Sequence, residues 1–135
     1  MKYTDSDLFR LSEVRKSGAR IYFGTDEMLV AGLIMGATGG IGSFYNVAPE
    51  LFVEAYRLTT VGRWEEARAI QASINELIGI GLKFPVNPVV KAMLRLQGYD
   101  CGVCAPPRRR LTDDEEVHLR ALLKSSSVSN LFPQL

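Results

Sequence analysis

Phe23-Gly24-Thr25-Asp26-Glu27, continued at Gly36-Ala37-Thr38-Gly39-Gly40-Ile41-Gly42-Ser43-Phe44-Tyr45-Asn46, sets the architecture of this chain. Short apolar runs at Arg20–Phe23 and Gly39–Gly42 flank an apolar helical segment, Met28–Met35. That pattern is a strand–helix–strand unit, the repeat of an α/β protein with parallel strands. Each strand runs out into polar residues: Thr25, Asp26 and Glu27 after the first, Ser43, Tyr45 and Asn46 after the second. Ligands of parallel α/β folds bind at the carboxyl ends of the strands, so a functional reading starts there.

The bulk properties narrow the classes. A chain of 135 residues is enough for one domain, and 47% hydrophobic with 23% charged residues is the balance of a soluble globular protein. A net charge of +1 gives no electrostatic case for nucleic acid or an anionic membrane. The longest apolar run, around Met28–Met35, falls well short of the roughly 20 residues a membrane span needs. Acids at Asp5 and Asp7 stand where a signal peptide would carry its apolar core, so the expected compartment is the cytoplasm. Two cysteines, Cys101 and Cys104, do not make a disulfide framework.

Outward from the opening stretch, residues 1–6 read as the end of an element. Asp5 or Ser6 is expected to cap a helix over Asp7–Lys16 that Ser17-Gly18 ends. Asp26 is expected to cap the helix from Glu27 to Met35, which is apolar on most sides and therefore expected to be buried on most sides. Four glycines between Gly36 and Gly42 are poor strand formers and predict close backbone approach, to packed neighbours or to a ligand.

Beyond Pro49 the pattern is helical. Pro49 suits a first helical position before Glu50–Thr60, and a longer helix follows over Trp64–Ile80. Asn87-Pro88 reads as a cap and first-turn proline opening Val89–Gln97, which Gly98 stops. Residues 99–111 form a loop, and Thr112-Asp113-Asp114-Glu115 is a capping box for a last helix reaching Lys124. Ser125–Leu135 reads as a frayed tail. So short a parallel sheet needs more strands and covered faces, which predicts a piece of something larger.

Three motifs in order, Lys2-Tyr3-Thr4-x-x-Asp7, Gly24-x-Asp26-Glu27 and Gly36-Ala37-x-Gly39-Gly40-Ile41-Gly42-Ser43-x-Tyr45-Asn46, resemble the N-acetylneuraminate lyase / dihydrodipicolinate synthase family of class I aldolases. The acid pair Asp26-Glu27 and the strand ending Gly40–Asn46 lie closer to the sialic acid lyase branch. Phe44 stands where a small residue is usual. The resemblance implies an α/β fold: the C-terminal portion of a (β/α)8 TIM barrel, with the end of strand 6, strands 7 and 8, and a C-terminal helical extension. The corresponding divisions are residues 1–62 for the barrel, 63–124 for the extension and 125–135 for a flexible tail.

By the same resemblance, Lys2 is the nucleophile that forms a Schiff base with a 2-oxo acid. A neutral amine attacks the ketone, and the iminium draws electrons from the adjacent carbon–carbon bond. Thr4, Gly24, Asp26, Glu27 and Ser43 are implied to bind substrate; adjacent carboxylates suit vicinal hydroxyls, each accepting a donor. The implied substrate is N-acetylneuraminate or a related 2-oxo acid sugar, with no metal or organic cofactor, no nucleic acid and no membrane. The intact protein is implied to be a homo-oligomer, a tetramer. The family's proton-shuttling tyrosine and the hydroxylated motif that grips the pyruvate carboxylate find no match here, and Tyr45 does not stand in the tyrosine's position. The chain alone is therefore expected to be inactive. The alternatives are a dihydrodipicolinate synthase-like or other pyruvate-dependent aldolase, and a non-catalytic fragment or assembly module.

Read without the resemblance, each feature has a plainer account. Lysine near a chain start is usually solvated, and acids at a helix start favour its dipole. Cys101-Gly102-Val103-Cys104 lacks a second Cys/His pair and is expected to be incidental. Arg108–Arg110 marks a solvated loop or inter-subunit contact, and Phe52, Tyr56 and Trp64 fall at core spacing on helices. His118 needs no catalytic role.

Overall fold

The computed structural model describes all 135 residues. They form two compact units, Met1–Ile74 and Asn75–Leu135.

The first unit is built on three very short strands, β1 (Lys2–Tyr3), β2 (Tyr22–Phe23) and β3 (Gly39–Gly40), all parallel in the order β1-β2-β3. Lys2 pairs with Tyr22 and Tyr22 with Gly39; Tyr3 pairs with Phe23 and Phe23 with Gly40. The ladder runs slightly past the strands, for the Gly24 amide donates to Tyr3 O at 2.7 Å and the Ile41 amide to Phe23 O at 2.9 Å. Alternation then sorts the residues by face. Tyr3 and Phe23 are buried with Leu11, Ile21 and Ala37, whereas Lys2 and Tyr22 are exposed.

Helix α1 (Leu8–Arg15) covers the buried face through Leu11. Its cap is Asp7, whose Oδ1 accepts from the Arg10 amide at 2.9 Å. Neither expected cap, Asp5 or Ser6, takes that place; Asp5 Oδ1 instead accepts from the Asp7 amide at 3.1 Å, ahead of the helix. After β2 comes a 3-10 turn (Asp26–Met28) and then α2 (Leu29–Ile34). Asp26 does not cap this helix as expected. Its carboxylate accepts from the Phe44 amide, a tertiary partner that takes it away from the local amides. Nor is α2 buried on most sides. Leu29, Val30 and Gly32 are buried, while Ile34 is exposed.

A second 3-10 turn (Phe44–Asn46) leads into α3 (Pro49–Thr60), with Pro49 in the first turn as its missing amide hydrogen allows. Helix α4 (Trp64–Gly81) follows. Of the aromatic residues expected in the core, only Phe52 is buried; Tyr56 is 42% and Trp64 59% exposed. Helical spacing identifies a shared face, but not whether anything covers it.

The second unit holds the rest of α4, then α5 (Val86–Leu96), α6 (Asp113–Lys124) and a final 3-10 turn (Ser129–Leu131). Helix α5 starts before the expected cap. Pro85 precedes it, and Pro88 sits in its first turn, where the amide it lacks would have no helical partner. The expected frayed tail is packed. Val128 and Phe132 are buried, the Gln134 amide donates to Leu96 O at 3.1 Å, and Arg120 donates to Gln134 O at 2.9 Å. Two apolar side chains among serines suffice to anchor the segment.

The capping box on α6 forms as the sequence predicts. Thr112 Oγ1 accepts from the Glu115 amide, and Glu115 accepts from the Thr112 amide at 2.8 Å. The Arg109 guanidinium donates to both Glu115 oxygens at 2.6 and 2.7 Å. Together these donors lower the Glu115 carboxyl from its ordinary 4.5 to about 2. Folding depresses this pKa, so the contribution is fully present above the ordinary value and lost as pH falls through about 2. The stability difference between the protein and Glu115→Gln is expected to hold steady at neutral pH, then shrink below pH 4.5 and vanish by about 2 in denaturant titrations. A difference undiminished at the acid end would refute the assignment.

Candidate active site

The first unit gathers the polar ends of its strands. β1 carries Lys2 and leads to Thr4; β2 leads through Gly24 to Asp26 and Glu27; β3 leads to Ser43. Because the strands are parallel and in register, these residues emerge at one edge of the sheet.

Lys2, Thr4 and Gly24 meet directly. A Cβ on Gly24 would fall onto Thr4 Oγ1 and lie 2.5 Å from Lys2 Cε. The lysine stem therefore runs across the bare glycine, beside the threonine hydroxyl. Thr25 Oγ1 donates to Asp5 O at 3.3 Å, tying the two strand ends together just beyond this point.

Asp26 and Glu27, adjacent in sequence, have opposite surroundings. Glu27 is exposed and Asp26 only 7% exposed. Asp26 Oδ2 accepts from the Phe44 amide at 3.2 Å, which draws the turn after β2 against the turn after β3 and brings Ser43 alongside. Phe44 itself is buried, so its side chain stays out of the open site. Burial raises the Asp26 carboxyl above its ordinary range, opposed by the Phe44 amide, the Lys2 charge and the nearby Ser43 amide and reinforced by the Glu27 charge. Oδ1 is buried and has no hydrogen-bond partner.

The glycines of β3 and its exit are explained by packed side chains. The Tyr45 hydroxyl lies where a Cβ on Gly40 would be, and the Asp26 carboxylate where one on Gly42 would be. Tyr45 stacks on Phe52 with centroids 3.8 Å apart, and its hydroxyl, like Asp26 Oδ1, is buried without a partner. Burial, with the Asp26 charge, pushes its ionisation far above the ordinary range. Tyr45 remains a neutral phenol at any ordinary pH.

Gln71, which no motif marks, bonds to the backbone on both sides of Glu27. This α4 side chain is buried; its Oε1 accepts from the Val30 amide at 3.0 Å, and its Nε2 donates to Asp26 O at 3.2 Å. Its signal in the sequence is positional. Ala67, Gln71, Ile74 and Ile78 fall on one helical stripe and all are buried, so an amide among apolar neighbours implies a buried partner. The remaining polar motifs lie elsewhere. Cys101 is exposed, Arg109 pairs with Glu115, and the His118 ring meets Phe84 edge-on at 5.6 Å. No single helix is long and apolar enough to cross a membrane.

Comparison with known proteins identifies the family. The profile of the Dihydrodipicolinate synthetase family matches residues 1–126. An N-acetylneuraminate lyase of Rhizobium meliloti is 42% identical over 124 residues, 90% of this chain and 40% of that protein. The crystal structure of the Fusobacterium nucleatum N-acetylneuraminate lyase complexed with pyruvate superposes with a TM-score of 0.85 at 30% identity, over 93% of this chain and 44% of that one. CdNal of Clostridium difficile, in complex with mannosamine, gives a TM-score of 0.86 at 28% identity, over 97% of this chain and 44% of that one. This chain thus spans about two-fifths of the length of the curated relative it matches. Its small parallel sheet and helices are consistent with part of a TIM barrel.

Proposed function

The chain belongs to the Dihydrodipicolinate synthetase family, and from that we propose that it carries the nucleophile and the polyol-binding half of a Schiff-base aldolase that cleaves N-acetylneuraminate or a related 2-oxo acid sugar. The chain corresponds to the last strands of a (β/α)8 barrel and its C-terminal helices. The observation that supports this best is the crossing of Lys2 over Gly24 beside Thr4, at the carboxyl edge of a parallel sheet.

Chemistry follows from that placement. The Lys2 amine adds to the ketone of the 2-oxo acid, and water leaves to form an iminium. The C4 hydroxyl gives up its proton as the C3–C4 bond breaks, releasing an aldehyde, and the bond's electron pair passes to the iminium to form an enamine; protonation at C3 and hydrolysis then return pyruvate and the free amine. Thr4 lines the same pocket. Glu27 and Ser43, both exposed at the strand ends, accept hydrogen bonds from the sugar hydroxyls, and the Gly24 backbone lies among them. Asp26 joins them through Oδ1, the one carboxylate oxygen left without a partner. A buried orphan oxygen costs free energy until something donates to it, which suits a site that recognises hydroxyls.

Support for the substrate class comes from the relatives. One is named an N-acetylneuraminate lyase, one neighbour holds pyruvate and another mannosamine. The intact protein is a cytoplasmic homo-oligomer, a tetramer, on the same family reading. The test is to incubate the full-length protein with pyruvate and sodium borohydride and map the adduct by peptide mass spectrometry. The expected result is a reduced pyruvyl adduct on Lys2. Supplying pyruvate with a panel of aldehydes then separates a sialic acid lyase, which prefers N-acetylmannosamine, from a synthase that prefers a smaller aldehyde.

A further inference from the structure

We infer that Gln71 is a positioning residue that sets the affinity of this site for the aldehyde-derived half of the substrate, acting through the Asp26–Met28 turn; the inference rests on the aldolase reading above. The turn needs outside support. Neither Thr25, which precedes it, nor Met28, which precedes α2, supplies a side-chain cap. The amides and carbonyls at such a junction are short of partners. Gln71 fills both roles from α4, more than 40 residues away along the chain. Its orientation is forced, because only Oε1 can accept from the Val30 amide and only Nε2 can donate to the Asp26 carbonyl.

One planar amide therefore spans the turn from its first residue to the second residue of α2. Glu27 lies between the two anchored points. Asp26 is held at its carbonyl by Gln71 and by the Leu29 amide, and at its carboxylate by the Phe44 amide. Loss of the Gln71 amide leaves the Asp26 carbonyl only its local bond from the Leu29 amide and leaves Val30 without its side-chain acceptor, so Glu27 and the Asp26 carboxylate lose the brace from α4. Misplacing a binding group by about 1 Å can cost on the order of a hundredfold in rate or affinity. Lys2 and Thr4 stand on β1 and in its exit, whereas the Gln71 amide bonds to the Val30 amide and the Asp26 carbonyl. The nucleophile half and the polyol half are thus separately addressable.

Two variants of the full-length protein test this. Gln71→Met keeps much of the volume and removes both hydrogen bonds. Gln71→Glu keeps the acceptor for Val30 and removes the donor to Asp26. Both are expected to raise the KM for N-acetylmannosamine in the condensation direction by about tenfold or more, with kcat and the rate of pyruvate trapping by borohydride little changed. Hydrogen exchange at the Val30 amide should accelerate in Gln71→Met and much less in Gln71→Glu. A folded variant with unchanged KM overturns the inference, as does a joint fall of trapping and aldehyde affinity. Failure of both variants to fold makes Gln71 a stability residue and overturns it too. If the unmodified protein is not trapped by pyruvate at all, the aldolase reading itself fails, a result distinct from the other three.

Discussion

Lys2→Ala is expected to abolish the pyruvate adduct and to reduce carbon–carbon cleavage by on the order of 10⁶-fold, the scale on which other enzymes lose rate with their covalent nucleophile. The loss is chemical. Lys2 is exposed on a two-residue strand and its stem crosses only the bare Gly24 beside Thr4, so stability should change by less than about 0.5 kcal/mol. Lys2→Arg sharpens the test. It keeps a cation near Asp26, whose carboxyl feels the Lys2 charge, yet guanidinium is not deprotonated in proteins and cannot add to a ketone. If the lysine served only as a cation for the carboxylate of a 2-oxo acid, arginine would retain binding and part of the rate. Both variants are therefore expected to fold, to bind and to lack any borohydride-stable adduct. An adduct of unchanged yield in Lys2→Ala would place the nucleophile on another residue.

Part of this arrangement is legible in the sequence because it depends on local rules. The β2–α2–β3 unit follows from two short apolar runs around a helical one. Helix α3 follows from Pro49, and α6 from a capping box whose two hydrogen bonds both form. The order of the polar strand ends locates the candidate site at one edge of a parallel sheet. What escapes the sequence depends on partners distant along the chain. Asp26 has every local mark of a helix cap, but the Phe44 amide, 18 residues on, takes its carboxylate. Gln71 carries no motif, and its role exists only once α4 packs beside the turn. Tyr56 and Trp64 sit at core spacing yet remain exposed, since periodicity cannot report what is absent from above a face. The tail errs the other way, because composition does not show that Phe132 finds a buried place. Glycine is intermediate. The run from Gly36 to Gly42 signals close approach, and the structure supplies the neighbours, Tyr45 over Gly40 and Asp26 over Gly42.

Gly32→Ala is expected to lower the melting temperature by roughly 8 °C, the equivalent of about 2 kcal/mol in a domain of this size. Two effects oppose one another at this position. Alanine in place of glycine within a helix is worth about 1 kcal/mol in the helix's favour. Against that, a Cβ on Gly32 would collide with the Phe23 ring, lying 2.6 Å from Cγ, 2.8 Å from Cε1 and closer still to Cδ1. The ring cannot yield cheaply. Phe23 is fully buried, stands in the central strand and stacks on Tyr3 at a centroid distance of 6.3 Å. Overpacking of such a site costs about 1–3 kcal/mol, and here the upper end applies because backbone-anchored β2 and α2 must separate. The clash outweighs the propensity. A smaller ring-position residue should relieve it, so Phe23→Leu combined with Gly32→Ala is expected to lose less than the two single variants together, a coupling that a double-mutant cycle measures. The damage should reach the site as well, since Phe23 immediately precedes Gly24, over which Lys2 passes. Activity is thus expected to fall further than the folded fraction does. A rise in melting temperature for Gly32→Ala alone would mean that helix propensity prevails and that the close packing of α2 on β2 is not what positions Gly24.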